Sequence, residues 1–121
     1  MNQGPRRVLV LDDEPIVVER LTEALQREGF SVKGFTEGAA ALRALRDGAF
    51  HVVVTDLKMR PPTGMDLLRE VRRAFPQTRL LVITGYADRE TWESLRKAGV
   101  AEIVAKPFRL REVVERVKGL L

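Results

Sequence analysis

Acidic side chains and one lysine follow three of the apolar runs in this chain. They are Asp12 and Asp13 after the first run, Asp56 after the third and Lys106 after the last. Apolar runs of four or five residues are typical of buried strands, and the carboxyl ends of parallel strands meet at one edge of a sheet. We therefore expect these side chains to lie close together. Because hard divalent cations such as Mg²⁺ prefer oxygen ligands, the pattern predicts a cation site beside a reactive carboxylate.

The charges in this cluster do not balance. Three crowded carboxylates repel one another unless positive charge intervenes, and Lys106 supplies only one such charge. A divalent ion would supply two more. For a single aspartate, capping of the helix that begins at Pro15 would be the simpler explanation. A pair of aspartates, with Asp56 and Lys106 at matching strand ends, favours a functional site.

Thr84 ends the fourth apolar run and is expected at the same edge of the sheet. Taken alone, it could be an ordinary β-branched strand residue. Beside the carboxylates, its hydroxyl could instead donate a hydrogen bond to a phosphoryl oxygen. The ammonium of Lys106 could pair with Asp56 and later with a phosphoryl group on that residue.

The elements that must position these residues alternate regularly. Strands are predicted at residues 7–11, 31–35, 50–55, 79–84 and 102–105, and helices at 15–28, 37–46, 65–75, 88–98 and 109–121. Strands that alternate with helices at this spacing predict a parallel sheet with right-handed crossovers. Nothing resembles a linker or a repeat, so we expect one domain over residues 1–121, with an ordered core from about residue 7.

Composition narrows the class of protein. The 121 residues are 45% hydrophobic and 31% charged and include no cysteine, which fits a soluble domain without disulfides or thiolate chemistry. The net charge is +4, but the basic residues alternate with acidic ones at helical spacing, which favours solvated helix faces over a nucleic-acid surface. No apolar run has the length of a membrane span or signal peptide, so a cytoplasmic location without membrane insertion is expected.

Short motifs in order along the chain resemble the receiver domain of two-component response regulators. They are LVLDDEP at 9–15, TDLKM at 55–59, ITG at 83–85 and KPF at 106–108. Each motif is weak alone, but their order and spacing cover nearly the whole chain. The resemblance implies an α/β fold of the flavodoxin-like (βα)5 type. This fold is a three-layer sandwich whose parallel five-stranded sheet has the order 2-1-3-4-5.

The resemblance also implies a phosphorelay function. Asp56 would be the phosphoacceptor, taking a phosphoryl group from the phosphohistidine of a sensor histidine kinase or phosphotransfer protein. Thr84 and Lys106 would bind the phosphoryl oxygens, and the peptide between Lys106 and Pro107 would be cis. The domain would not be an enzyme toward other substrates. It would at most catalyse its own phosphorylation and slow autodephosphorylation.

The implied metal ligands are the three carboxylates of the cluster and one main-chain oxygen. They are Asp12, Asp13, Asp56 and the backbone carbonyl of Lys58, and the ion would be Mg²⁺, with Mn²⁺ as an alternative. Phosphorylation would then change a partner-binding surface. By family analogy, the face formed by the fourth helix, fifth strand and fifth helix would hold a partner or a second copy of the chain, and nucleic acid would not bind this domain directly.

Several positions depart from the common pattern of the family. Ile103 stands where receivers often carry an aromatic switch residue, so a standard aromatic switch is not expected. Arg60 replaces the usual proline after methionine. Lys58 and Tyr86 occupy places that modulate the approach of hydrolytic water in the family, and the bulky Tyr86 is expected to shield the acyl phosphate.

Other classes of protein fit less well. A flavodoxin would not place acidic residues against the flavin phosphate, and an aspartyl phosphohydrolase would want a second acid where Lys58 stands. The serious alternative is a pseudo-receiver, a docking module of the same fold that is never phosphorylated. The complete set of site residues argues against it, while Ile103 leaves it open. His51, the only histidine, is expected to be structural because it begins a strand at the opposite edge.

Overall fold

Five short apolar strands form the central sheet of the part of the chain that the computed structural model describes, residues 4–57, 59–85 and 88–121. The strands are β1 (Arg7–Leu11), β2 (Ser31–Phe35), β3 (Val52–Asp56), β4 (Arg79–Thr84) and β5 (Glu102–Ala105). All neighbouring pairs are parallel, and the order is β2-β1-β3-β4-β5. The predicted fold, a flavodoxin-like sheet of order 2-1-3-4-5, is therefore confirmed.

Helices cover the sheet on both faces. They are α1 (Pro15–Arg27), α2 (Gly38–Asp47), α3 (Gly64–Ala74), α4 (Arg89–Lys97) and α5 (Leu110–Gly119). Alternate residues of the central strands point to opposite faces, so the core divides into two clusters. One joins residues such as Leu9 and Val53 to α2, α3 and α4, and the other joins residues such as Val10 and Val54 to α1 and α5. None of the described helices has the length and apolar character needed to cross a membrane.

The element boundaries follow local backbone chemistry. Pro15 opens α1, where its fixed φ and missing N–H carry no penalty. Gly29 and Gly99, which follow α1 and α4, have φ values of 96° and 94°, a left-handed conformation that favours glycine. The observed β3 begins two residues later than predicted and includes Asp56, so the acidic residue belongs to the strand itself.

His51 lies just before β3, at the amino edge of the sheet. Its Nδ1 accepts a hydrogen bond of 2.9 Å from the backbone N–H of Arg7. The ring therefore ties the start of β1 to the start of β3, in agreement with the structural role predicted for it.

The loop after β3 is anchored at the N-terminus of α3 by a capping box. Thr63 Oγ1 accepts a hydrogen bond of 3.2 Å from the Asp66 N–H, and the Thr63 N–H donates one of 2.7 Å to Asp66 Oδ2. These bonds satisfy two backbone donors that a helix start otherwise leaves without partners. The backbone bond from Thr63 also holds the pKa of Asp66 below its usual value.

We expect Thr63→Ala to lower the free energy of unfolding by about 1 kcal/mol, the usual cost of losing a side-chain cap. Chemical denaturation of both proteins measures this difference. Thr36→Ala is the control, because the Thr36 side chain is exposed and makes no hydrogen bond in the described part of the chain. Equal losses in the two variants would contradict the capping role.

Candidate functional site

The carboxylates predicted to meet do so at the carboxyl edge of β1 and β3. One oxygen from each of Asp12, Asp13 and Asp56 lies within 4.8 Å of the others. Leu11 and Thr55 are register partners in the two parallel strands, so Asp12 and Asp56 leave the sheet side by side. Asp12 is only 1% exposed and Asp56 only 8%, whereas Asp13 is exposed. The cluster is therefore open to solvent mainly on the side of Asp13.

Lys106 reaches this cluster from the end of β5. Its Nζ donates a hydrogen bond of 3.0 Å to Asp56 Oδ2 and lies 3.1 Å from Asp12 Oδ2. A third contact, of 3.5 Å, joins the same Nζ to Glu14 Oε1. The Lys106 backbone N–H donates to the Thr84 carbonyl at 2.9 Å. The ammonium is thus fixed from both ends, by its main chain and by its carboxylate partners.

Lys106 remains charged in this environment. Burial alone would lower its pKa, but the hydrogen bond to Asp56, the close approach of Asp12 and the negative charges of both carboxylates outweigh that effect, so the pKa is raised above its usual value. The side chain is part-buried, which weakens solvent screening of these contacts. A permanent positive charge therefore sits against the carboxylate of Asp56.

Asp12 shows that one lysine is not enough. Burial raises the pKa of its carboxyl, and the nearby charge of Asp56 raises it further. The hydrogen bond from the Glu14 N–H at 2.9 Å and the Lys106 ion pair only partly oppose this. Its Oδ2 is buried and has no hydrogen-bond partner, because Lys106 approaches it as an ion pair without hydrogen-bond geometry.

A hard divalent cation fits this arrangement. The buried oxygen of Asp12, the close carboxylates of Asp13 and Asp56 and the raised pKa of Asp12 are all signs of uncompensated negative charge. Oxygen-only ligands with one open side match the coordination of ions that keep several waters. The residues present therefore fit the predicted metal site.

Thr84 ends β4 at the same edge and is fully buried. Ile83, the residue before it, is the register partner of Asp56, so Thr84 lies one residue further toward the carboxyl edge than Asp56 does. On its other side Thr84 pairs with Ala105, directly before Lys106. The predicted hydroxyl, ammonium and acceptor thus come from three neighbouring strands.

Gly64 allows α3 to begin directly against the main chain of Asp56. A Cβ atom at Gly64 would lie 1.9 Å from the backbone oxygen of Asp56, a distance that no side chain can occupy. The first turn of α3 therefore packs directly on the Asp56 main chain. The sequence reveals the glycine but not this contact, because the contact depends on how β3 and α3 meet in space.

The structure brings together Asp12, Asp13, Asp56, Thr84 and Lys106, as the sequence predicted, and the Lys106–Pro107 peptide is cis, as the resemblance implied. The roles assigned to these residues stay predictions. Lys58 and Tyr86 lie outside the described residues. Ile103 is 6% exposed and belongs to the core cluster under α2, α3 and α4, not to the edge. Glu14, which contacts Lys106, was not singled out; its position directly after Asp13 was the available signal.

Comparison with known proteins agrees with this fold. A family model described as the response regulator receiver domain matches residues 8–118. The chain is 35% identical to the probable transcriptional regulatory protein TcrX of Mycobacterium tuberculosis over 117 residues, or 97% of this chain and 50% of TcrX. It is 28% identical to the response regulator receiver protein CpdR of Brucella abortus over 116 residues, or 96% of this chain and 97% of CpdR.

A solved structure shows the same architecture. The response regulator protein TrrA from Thermotoga maritima, in complex with Mg²⁺-BeF, matches with a TM-score of 0.84 and 32% identity, covering 96% of this chain and 99% of TrrA. The fold and the acidic edge define a flavodoxin-like signalling domain. The chain belongs to the receiver domain family of two-component response regulators. It spans half the length of TcrX and nearly all of CpdR.

We expect Asp12→Asn to raise the free energy of unfolding near neutral pH when no divalent ion is present. A carboxyl whose pKa is raised on folding stabilises the fold only while protonated, so stability falls as the pH rises from the unfolded-state pKa through the folded-state pKa. The variant removes that loss. Its gain should grow as the pH rises above the unfolded-state pKa of about 4, because the wild-type carboxyl is then ionised in the unfolded chain.

Thermal and urea unfolding of both proteins, from about pH 2 to about pH 7, measures this effect. The two curves should converge at the acid end, where Asp12 is protonated in both the folded and unfolded chains. A constant difference across the range would show that the charge of Asp12 is not the cause.

Proposed function

We propose that this receiver domain is a phosphoacceptor in a two-component phosphorelay. Asp56 takes a phosphoryl group from the phosphohistidine of a sensor histidine kinase or phosphotransfer protein. The observation that carries the proposal is the position of Lys106 Nζ, 3.0 Å from Asp56 Oδ2, beside a carboxylate cluster that fits a divalent cation. A docking module that is never phosphorylated would gain nothing from this costly concentration of buried charge.

In the transfer step, a carboxylate oxygen of Asp56 forms a bond to phosphorus as the bond between phosphorus and the histidine nitrogen breaks. The electron pair of the broken bond stays on the imidazole, which takes a proton from water. Negative charge spreads over the equatorial phosphoryl oxygens during this step. Lys106 lies where it can donate a hydrogen bond to one of these oxygens, and the hydroxyl of Thr84 is assigned to another.

The metal ligands in this proposal are Asp12, Asp13 and Asp56, with the backbone carbonyl of Lys58 as the fourth protein ligand. Bound Mg²⁺, or Mn²⁺ in its place, would supply positive charge that offsets the phosphoryl oxygens. The buried oxygen of Asp12 that lacks a hydrogen-bond partner supports this assignment. The likeness to TrrA, whose structure was solved in complex with Mg²⁺-BeF, supports it as well.

An apolar groove beside Lys106 is the proposed docking surface for the phosphodonor protein. The groove has a volume of about 490 Å³ and lies between the start of α1 and the segment before α5. Ile16, on one wall, is 52% exposed, and Phe108 and Leu110 line the other wall. A partner that covers these side chains would bring its phosphohistidine next to Asp56.

The output of the domain is proposed to be a change in its partner-binding surface. Phosphorylation adds about −1.5 to −2 charges beside Thr84, whose strand pairs with β5. The face formed by α4, β5 and α5 is the proposed site for a partner or a second copy of the chain. Ile103 packs in the core below α4, so no aromatic ring at that position can move with the signal. The domain acts in the cytoplasm and modifies only itself.

We expect incubation with Mg²⁺ and acetyl phosphate to add one phosphoryl group to the chain, because Asp56, Lys106 and the cation site form one complete acceptor. Intact-protein mass spectrometry measures the addition. Asp56→Asn should abolish it, and removal of the metal by EDTA should reduce it at least about a hundredfold, since metal charge supplies several kcal/mol in such steps. A chain that never gains the mass would support the pseudo-receiver instead.

We expect Ile16→Ser to slow transfer from a phosphorylated histidine protein about tenfold, because the partner loses an apolar contact that a half-buried isoleucine supplies. The rate with acetyl phosphate should not change, since that donor does not need the groove. Leu121→Ser is the control, because Leu121 is 40% exposed but lies away from Asp56 at the opposite edge of the sheet. A parallel loss with both donors would place the effect in the site and not in docking.

A further inference from the structure

We propose that Arg60 guides small anionic phosphodonors into the site through a cavity between the β3–α3 loop and the start of α2. The inference rests on the proposed phosphoacceptor function and adds a residue that sets donor preference. It starts from a charge imbalance at the site and from an arginine that has no other electrostatic role in the described structure.

The site repels the molecules that it must accept. Four carboxylates, those of Asp12, Asp13, Glu14 and Asp56, lie around the single ammonium of Lys106. A bound divalent ion would still leave more negative than positive charge. Small phosphodonors such as acetyl phosphate are anions, so their approach is opposed until they reach the cation and Lys106.

Arg60 stands at the rim of this acidic cluster. It follows Asp56 by four residues, is exposed, and makes no ion pair or hydrogen bond in the described part of the chain. Together with Asp13 it lines a cavity of about 530 Å³ that adjoins the cluster. Among the described lining residues Arg60 is the one cation, and Asp13 and Glu37 are the carboxylates. Its charge therefore has a large relative effect on an anion that enters there.

The far wall of the cavity is the first turn of α2, where Gly38 and Ala39 begin the helix. The wall and the loop touch at one side of the cavity, since a Cβ atom at Gly38 would lie 1.9 Å from the Pro62 carbonyl oxygen. This contact fixes the loop that carries Arg60 against α2. The backbone from which the Arg60 side chain extends is consequently held beside the cavity.

The two sides of the site would then serve different donors. The apolar groove with Ile16 offers contact area to a protein, whereas the cavity with Arg60 offers only charge. A protein donor has docking contacts that hold it in place, so one surface charge changes its rate little. A small donor depends on diffusion, and steering by charge acts on that step and weakens with salt.

The test compares Arg60→Gln and Arg60→Lys with Arg79→Gln, which removes an exposed arginine at the opposite edge of the sheet. Phosphorylation by acetyl phosphate with saturating Mg²⁺ is followed by mass spectrometry at low ionic strength and at about 1 M salt. We expect Arg60→Gln to slow the reaction about three- to tenfold at low salt and not at high salt, a range suited to one steering charge. Arg60→Lys should retain the wild-type rate.

A loss that persists in high salt and in Arg60→Lys would overturn the proposal, because it would mean that the substitution distorts the loop. Equal rates for Arg60→Gln and Arg79→Gln at low salt would overturn it too. Either result would leave phosphorylation at Asp56 intact, so the failure of this inference is separate from failure of the proposed function.

An equilibrium measurement tests the role of Arg60 even if the chain is not phosphorylated. Inorganic phosphate is titrated into the wild-type protein with Mg²⁺, and the Arg60 Nε–Hε signal, identified by its loss in Arg60→Lys, is followed by NMR. We expect that signal to shift with phosphate while the Arg79 signal stays in place. A shift with inorganic phosphate, combined with no mass gain from acetyl phosphate in the earlier experiment, would support the anion path and reject the phosphoacceptor function. No shift would reject the path.

Discussion

The contact between the Lys106 ammonium and the buried carboxylates of Asp56 and Asp12 is the interaction on which the rest of the site depends. Three strands must end in register for these groups to meet, and the sheet order places β1 beside β3 for that purpose. The lysine alone does not neutralise the cluster, as the raised pKa of Asp12 shows. The fold thus holds an excess of negative charge that a bound divalent cation would reduce, and hydrophobic burial elsewhere must offset its cost.

The sequence predicted this site well because its signals are local. An apolar run followed by Asp12 or Asp56 specifies both a strand and its carboxyl end, and parallel pairing then brings the ends together. What it did not predict depends on distances across the fold. The packing of Gly64 on the Asp56 main chain, and the reach of Glu14 to Lys106, arise only once helices and loops are placed in space. The start of β3 was predicted too early because Phe50 is apolar and buried without belonging to the strand.

The groove and the cavity on either side of the site differ in polarity. The groove with Ile16 is mostly apolar and is lined by Glu14 and Lys106, whereas the cavity with Arg60 is more polar and is lined by Asp13. If the proposed donor paths are correct, substitutions at Ile16 or Arg60 would change donor preference without altering Asp56. The position of Asp56, in contrast, is constrained by Gly64. The Asp56 main chain and the first turn of α3 are in direct contact, so neither can move without the other.

The sheet divides the hydrophobic core into two clusters that share no side chain, one beneath α1 and α5 and one beneath α2, α3 and α4. The groove with Ile16 belongs to the first side, and Ile103 and α4 belong to the second. Substitutions can accumulate in one cluster while packing in the other is preserved. In the proposed function α5 belongs to both surfaces, because Leu110 lines the groove and the helix forms part of the output face, so only α4 lies on the other side of the sheet from the docking groove. Substitutions beneath α4 can therefore alter the proposed output face while the packing beneath the groove is preserved.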